Sequence, residues 1–124
     1  MIFNINAYWL YGWPAYDIGK HIYNDETKQT KFIWKDKEYD STWHACSELR
    51  SCLYKIKSKV FAGTIGGESM VGIKMEIEVG AINLMPNELK LSEIKRDILE
   101  SLKLVGFVDL PEPKLYTIVD INDD

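Results

Sequence analysis

The sequence is poor in the residues that carry most protein chemistry. Only two of the 124 residues are His and two are Cys, and no group of them has the spacing of a zinc site. The stretch Gly63–Gly67 lacks the Gly-Lys-Ser/Thr ending of a phosphate-binding loop, so we interpret it as a hairpin turn. The sequence therefore predicts neither a metal ion nor a cofactor.

Long apolar runs and a basic N-terminal region are also absent. The uncharged run from Met1 to Tyr16 contains two Asn, a Gly and a Pro, which is typical neither of a signal peptide nor of a membrane span. On one helix the Cα atoms of Cys46 and Cys52 would lie about 9 Å apart along the axis, beyond the roughly 7 Å that a disulfide bridges. We therefore expect free thiols on a reduced, cytoplasmic protein without a membrane partner.

The sequence also lacks a long region of concentrated basic charge. Residues 1–62 hold nine Lys and Arg against seven Asp and Glu, whereas residues 63–124 hold six against twelve, which gives a net charge of −4. Proteins that bind phosphate backbones usually present a basic face. Nucleic acid is therefore a disfavoured partner.

The clearest pattern that is present is the alternation from Val71 to Val79. Val71, Ile73, Met75, Ile77 and Val79 point to one side, and the residues between them include Lys74, Glu76 and Glu78. A period of two indicates a strand with one face on a core and the other in water. Because a sheet buried on both faces would read as a continuous apolar run, the pattern predicts a two-layer α+β sandwich, with a mainly antiparallel sheet and helices on one face.

The remaining elements follow from apolar spacing, capping residues and turn residues. The sequence predicts strands at Ile2–Leu10, Val60–Ile65 and Leu115–Ile121, and a hairpin over Thr30–Tyr39. It predicts a first helix after Asp40-Ser41-Thr42, with an apolar stripe formed by Trp43, Cys46, Leu49, Leu53 and Ile56. A second helix is predicted to be capped by Ser92 and to end at Gly106. Residues 13–24 are expected to form a loop with one short helix after Pro14.

Without residues 11–40, the order of elements is strand, helix, strand, strand, helix, strand. This βαββαβ order resembles that of the ferredoxin-like fold, in which the first and third strands lie together in the middle of an antiparallel sheet. We expect residues 1–124 to form a single domain, with residues 11–40 as an insertion after the first strand that contains the hairpin.

The segment Tyr8–Tyr16 is unusually aromatic. Thirteen of the fifteen Phe, Tyr and Trp residues lie at or before Phe61. Tyr11, Trp13 and Tyr16 follow the first predicted strand, beside Gly and Pro, and Tyr and Trp on loops are common anchors of interfaces. They could stack on bases, grip a sugar or other small ligand, or anchor a protein, and they could equally pack the insertion onto the domain.

A small acidic domain with an aromatic loop and no catalytic motif suits a protein-binding inhibitor. We expect an immunity-type protein that blocks a basic toxic enzyme such as a nuclease toxin, or a phage-borne inhibitor, since carboxylates can take the place of the phosphates that a nuclease binds. The expected contact residues are Tyr11, Trp13, Tyr16, Glu68, Glu76, Glu78, Asp120 and Asp123, with Asp124 beside them.

The alternative is a small enzyme that acts on a nucleotide or a sugar through His44. Glu48 lies one helical turn from His44 and could orient it as a base, with Asp40 and Tyr39 just before the helix. A His and an acidic residue also meet at this spacing by chance, and a bystander His is the simpler interpretation. An ordered cleft around His44 would favour the enzyme.

Overall fold

The computed structural model describes residues 3–78 and 82–123, with the side chains of residues 5–78 and 82–120. The elements, in chain order, are β1 Phe3–Pro14, a 3₁₀ turn Ala15–Asp17, β2 Lys20–Asn24, β3 Gln29–Trp34, β4 Lys37–Tyr39, α1 Thr42–Lys55, β5 Phe61–Ile65, β6 Glu68–Ile77, α2 Glu88–Leu104 and β7 Lys114–Asp123. The protein is an α+β structure with two α-helices and antiparallel sheets, which confirms the predicted class.

Two antiparallel sheets organise these elements. The larger has the strand order β5-β6-β1-β7, and the smaller has the order β2-β3-β4. The alternating strand is therefore an inner strand, β6, and it pairs with β1 so that Trp13 lies opposite Val71 and Tyr11 opposite Ile73. Residue Val79, the last of the predicted alternation, lies outside the described residues.

The two faces of β6 differ as predicted, but the apolar face is less buried than expected. Lys74 and Glu76 are exposed, whereas Ile73, Met75 and Ile77 are only half-buried. We expected these three to be almost fully buried. The expectation was wrong because the two helices do not meet over the end of the strand and leave a cleft with Ile73 and Met75 on its floor.

The helices cover one face of the larger sheet, which we call the inner face. Its core joins residues of α1, α2, β1, β3 and β6. The opposite face, which we call the outer face, carries a smaller cluster of Leu10, Ile65 and Met70, against which Tyr8, Phe61, Tyr116 and Ile118 pack. The larger sheet therefore has apolar contacts on both of its faces.

Strand β1 is longer than predicted. We expected the strand to end at Leu10 because Gly12 and Pro14 interrupt the pattern, but it continues to Pro14. Gly12 lies opposite Gly72 on β6, where a Cβ atom on Gly12 would stand 2.0 Å from the carbonyl oxygen of Val71. Gly12 therefore permits a close approach of the two strands and does not form a turn.

The helix termini follow local rules, with two corrections. Ser41 caps α1 by accepting a hydrogen bond from the backbone N–H of His44. Helix α2 begins earlier than predicted, because Asn87 and not Ser92 caps it, accepting from the N–H of Lys90 at 2.8 Å. Gly106 has the predicted left-handed conformation, with φ of 97°.

The apolar stripe of α1 is narrower than predicted. Cys46, Leu49 and Leu53 are buried as expected, whereas Trp43 is 57% exposed and Ile56 is 40% exposed. Both cysteines are free thiols, as predicted. The stripe prediction was wrong at its two ends, because the Trp43 ring packs on the exposed His44 and Ile56 lies just past the helix, on the wall of the cleft that contains Ile73 and Met75.

Residues 15–39 hold more regular structure than predicted. The short helix after Pro14 is confirmed as the 3₁₀ turn, and the hairpin is confirmed as β3 and β4, with φ of 50° at Lys35 and 63° at Asp36 in its turn. Strand β2 was expected to be loop; it pairs with β3 although all five of its residues are exposed. Phe32 and Trp34 of β3 are buried in the core on the inner face, so they attach the smaller sheet to the rest of the protein.

Candidate functional site

The two aromatic residues nearest the centre of the predicted anchor segment are part of the core. Trp13 is 2% exposed, and its Nε1–H donates to the carbonyl oxygen of Pro111 at 2.9 Å. Tyr11 is buried in the same cluster. The expectation that they lie on an exposed loop was wrong, because β1 continues through them and odd-numbered residues of β1 face the helices.

Tyr16 and Glu68, in contrast, lie together at the surface. Tyr16 is 49% exposed in the 3₁₀ turn that follows β1, and Glu68 is the exposed first residue of β6. Both line a concavity of about 330 Å³ whose walls include Met70, Tyr116 and Ile118. Two residues that are 52 positions apart in the chain thus share one site.

Curling of the larger sheet creates this concavity. Strands β5 and β7 are its opposite edges, yet the tip of the β5–β6 hairpin reaches β7. A Cβ atom on Gly66 would stand 2.7 Å from a methyl group of Ile118, and Gly66 has φ of 58°. Glycine is needed at this position both for its backbone conformation and for the approach to β7.

A second concavity of about 260 Å³ adjoins the first and shares Tyr116 with it. Its lining includes Asp17, Glu112 and Lys114. The pKa of Tyr116 is raised by burial, and the neighbouring Asp17 and Tyr16 raise it further. We call the two concavities together the Tyr116 site, with Tyr16, Asp17, Glu68 and Tyr116 as its principal side chains.

The carboxylates of the Tyr116 site differ in their pairing. Glu112 accepts a hydrogen bond from Lys95 Nζ at 2.6 Å. Asp17 and Glu68 have no ion-pair partner among the residues that the structure describes. These two carboxylates are therefore available to an external cation beside two tyrosine rings.

The other predicted carboxylates lie toward the opposite end of the outer face. Glu76 lies opposite Tyr8, and Asp120 lies opposite Asn6. Glu76 and Glu78 are exposed and Asp120 is half-buried. The backbone of Asp123 is in β7, but its side chain and the whole of Asp124 fall outside the described part of the chain.

Three aromatic residues that the structure describes, Tyr8, Phe61 and Tyr116, pack on the outer face. The ammonium group of Lys74 lies 4.8 Å from the ring centre of Tyr8 and 4.9 Å from that of Phe61. Lys74 thus covers the rings of Tyr8 and Phe61, whereas Tyr116 lies at the other end of the face with Asp17 and Glu68. Period-two counting along β7 from Leu115 would have placed Tyr116 on this face, although it does not reveal which residues surround it.

His44 lies at the surface, away from the Tyr116 site. It is exposed, its Nδ1 lies 3.1 Å from Ser41 Oγ, and it lines neither concavity of the Tyr116 site. Glu48 is engaged elsewhere, because Tyr39 and Lys37 hydrogen-bond to it and lower its pKa. Asp40 is likewise paired, with Lys31.

Within residues 3–78 and 82–123, no group of three or more His, Cys, Asp and Glu side chains is arranged to hold a metal ion. None of the helices in that part of the chain is both long enough and apolar enough to cross a membrane. No protein-family model, no curated protein and no solved structure matches the sequence or the fold.

Proposed function

We propose that this protein is a non-enzymatic inhibitor of the immunity type, which binds a basic toxic enzyme such as a nuclease toxin and blocks its active site. A phage-borne inhibitor of a host enzyme would work in the same way. The observation that carries the proposal is the Tyr116 site, where Asp17 and Glu68, whose carboxylates have no ion-pair partner among the described residues, stand beside Tyr16 and Tyr116.

The chemistry of the site favours a cationic side chain of the partner. An Arg or Lys entering either concavity would meet a carboxylate and the face or edge of a tyrosine ring. Charge-assisted hydrogen bonds and cation–π contacts would both hold it. Arg is the better fit, because its planar guanidinium can bond a carboxylate and stack on a ring at the same time.

The carboxylates farther along the outer face have a different role in the proposal. Glu76, Glu78 and Asp120 would attract a basic partner over a distance and speed its encounter, and the net charge of −4 acts in the same sense. Tyr11 and Trp13 would support the site from within the core without touching the partner. Nucleic acid remains a disfavoured partner, because phosphates would be repelled by the same carboxylates.

The location of the protein and the type of its fold are also proposals. We place the protein in the cytoplasm, because both of its cysteines are free thiols. We interpret the larger sheet and its two helices as a ferredoxin-like unit with β2, β3 and β4 inserted after its first strand. This fold is widely reused, so the function is argued from the Tyr116 site alone.

Capture from the cytosol of the source cells tests the proposal. The wild-type protein is immobilised beside the double variant Asp17→Asn/Glu68→Gln and a control, Glu93→Gln, which removes an exposed carboxylate from α2 on the other side of the sheet. We expect the wild type and the control to retain the same basic protein at low salt and to release it at high salt, and the double variant to lose it.

The captured protein should also lose its enzymatic activity when the wild-type chain is added. Retention of the same partner by the double variant would remove the Tyr116 site from the proposal. A partner that is acidic, or that stays active in the complex, would contradict the inhibitor function itself.

A further inference from the structure

A second cleft lies on the inner side of the larger sheet, away from the Tyr116 site. It measures about 460 Å³ and separates the C-terminal end of α1 from α2. Ile73 and Met75 of β6 form its floor, which explains why they are only half-buried. The charged residues of its lining are Lys57 and Lys59, which follow α1, and Lys90, Asp97 and Glu100 of α2. A volume of this size is in the range of small-molecule sites.

The backbone after α1 fixes the first lip of the cleft. The N–H of Ser58 donates to the carbonyl oxygen of Leu53 at 3.0 Å, while Lys57 takes a left-handed conformation with φ of 56°. The chain then turns so that Lys57 and Lys59 both lie along the opening. Ser58 Oγ donates to Ser101 Oγ of α2 at 2.7 Å and ties this lip to the opposite helix.

The second lip belongs to α2 and carries the carboxylates of Asp97 and Glu100, with Lys90 about two turns nearer the start of the helix. Asp97, Glu100 and Ser101 recur at spacings of three and four, so one stripe of the helix faces the cleft. The Lys57 and Lys59 ammonium groups form no ion pair with Asp97 or Glu100 in the part of the chain that the structure describes. Lysine ammonium groups and carboxylates therefore line the same cleft, above the apolar side chains of Ile73 and Met75, without forming an ion pair with each other.

We infer that this cleft binds a free amino acid with a large apolar side chain, such as leucine, phenylalanine or tryptophan. The α-carboxylate would lie against Lys57 and Lys59, the α-ammonium against Asp97 and Glu100, and the side chain on Ile73 and Met75. This site is separate from the proposed inhibitor function and does not depend on it.

The pattern of charges selects this class over simpler ligands. A fatty acid or another plain anion would satisfy the lysines but would be repelled by the two carboxylates. A plain amine has the reverse problem with the lysines. A neutral apolar molecule would use the floor and leave both lips without partners, so the zwitterion is the ligand that uses all three surfaces.

Titration of the full-length protein with L-phenylalanine tests the inference, with amide chemical shifts from nuclear magnetic resonance as the readout. We expect saturable shifts confined to the lining of the cleft. Phenethylamine lacks the carboxylate and 3-phenylpropionate lacks the ammonium group, so each should bind at least about 10-fold more weakly.

Charge-reversing substitutions test whether the two lips of the cleft bind the amino acid. Lys59→Glu and Glu100→Lys should each weaken binding by at least about 10-fold. Lys55→Glu and Glu93→Lys are the matched controls, because Lys55 is exposed at the end of α1, four residues before Lys59, Glu93 is exposed on α2, and neither lines the cleft. The controls should bind as the wild type does.

Three results would overturn the inference. One is the absence of saturable shifts with all of L-leucine, L-phenylalanine and L-tryptophan. Another is equal binding of L-phenylalanine and its two singly charged analogues, and the third is a loss of binding in the controls as large as in the lip variants. Because the cleft and the Tyr116 site lie on opposite faces of the sheet, none of these results bears on partner capture.

Discussion

Trp13 and Tyr16 of the aromatic segment differ strongly in solvent exposure: Trp13 is 2% exposed and Tyr16 is 49% exposed. Replacing a buried Trp by Ala costs about 3–5 kcal/mol. Loss of the hydrogen bond to the Pro111 carbonyl adds about 0.5–1.5 kcal/mol. A total of about 3.5–6.5 kcal/mol is a large part of the roughly 5–15 kcal/mol that stabilises a typical domain, so Trp13→Ala should be severely destabilised.

The milder variant Trp13→Phe makes the measurement possible. It keeps a ring in the core but removes the donor, and we expect the free energy of unfolding to fall by about 1–3 kcal/mol. Tyr16→Ala should change that free energy by less than about 1 kcal/mol. Urea unfolding followed by far-ultraviolet circular dichroism gives both values, provided that the slope with denaturant is unchanged.

The opposite ranking would refute the reasoning. If Trp13→Phe unfolded at the wild-type urea concentration while Tyr16→Ala lost several kcal/mol, the placement of the two residues would be wrong. The same variants separate stability from binding. Trp13→Phe should capture the partner normally once folded, whereas Tyr16→Ala should bind it less tightly.

Two further predictions concern the helices. Leu102→Ala should lower the free energy of unfolding by about 2–5 kcal/mol, and Leu104→Ala by less than about 0.5 kcal/mol. The reason is that Leu102 is fully buried whereas Leu104, on the same helix, is 74% exposed. Equal losses in urea unfolding would contradict the packing of α2. Burial raises the pKa of the Cys46 thiol from its ordinary 9.0 to about 11, so its stabilising effect is complete below about pH 9 and is lost as the pH rises through about 11. The melting temperature should therefore fall more steeply over that range in the wild type than in Cys46→Ala, and parallel curves would show that the thiol is not buried.

The features that the sequence predicted correctly are local. Alternation along β6, the cap at Ser41 and the left-handed Gly106 each depend on a few neighbouring residues, so they are visible in one short window. The two-helix α+β class follows from the same windows taken together.

The features that were missed depend on partners far along the chain. From the sequence alone, Gly12 indicates a turn. The structure places Gly72 opposite it, and the close approach of the two strands at this point explains why neither residue has a side chain. Strand β2 has no buried residue and hence no apolar pattern to detect.

The Tyr116 site shows the same limit for function. The sequence pointed to Tyr16 and Glu68 but could not show that they meet, because their meeting requires the sheet to curl and Gly66 to reach Ile118. It also gave no reason to add Asp17 and Tyr116. The exposure of an aromatic residue is likewise not encoded locally, which is why Tyr11 and Trp13 were grouped with Tyr16.

The most direct test of the central claim is the rate at which the captured basic partner associates, measured at low and at high salt. The account predicts that the wild-type association rate falls by at least about 10-fold as salt is added, and that Asp17→Asn/Glu68→Gln associates slowly with a weaker salt dependence. Tyr16→Ala should instead associate at nearly the wild-type rate and dissociate faster. An association rate that is the same at both salt concentrations, and unchanged when Asp17 and Glu68 are neutralised, would contradict the claim that the carboxylates of the Tyr116 site receive a basic partner.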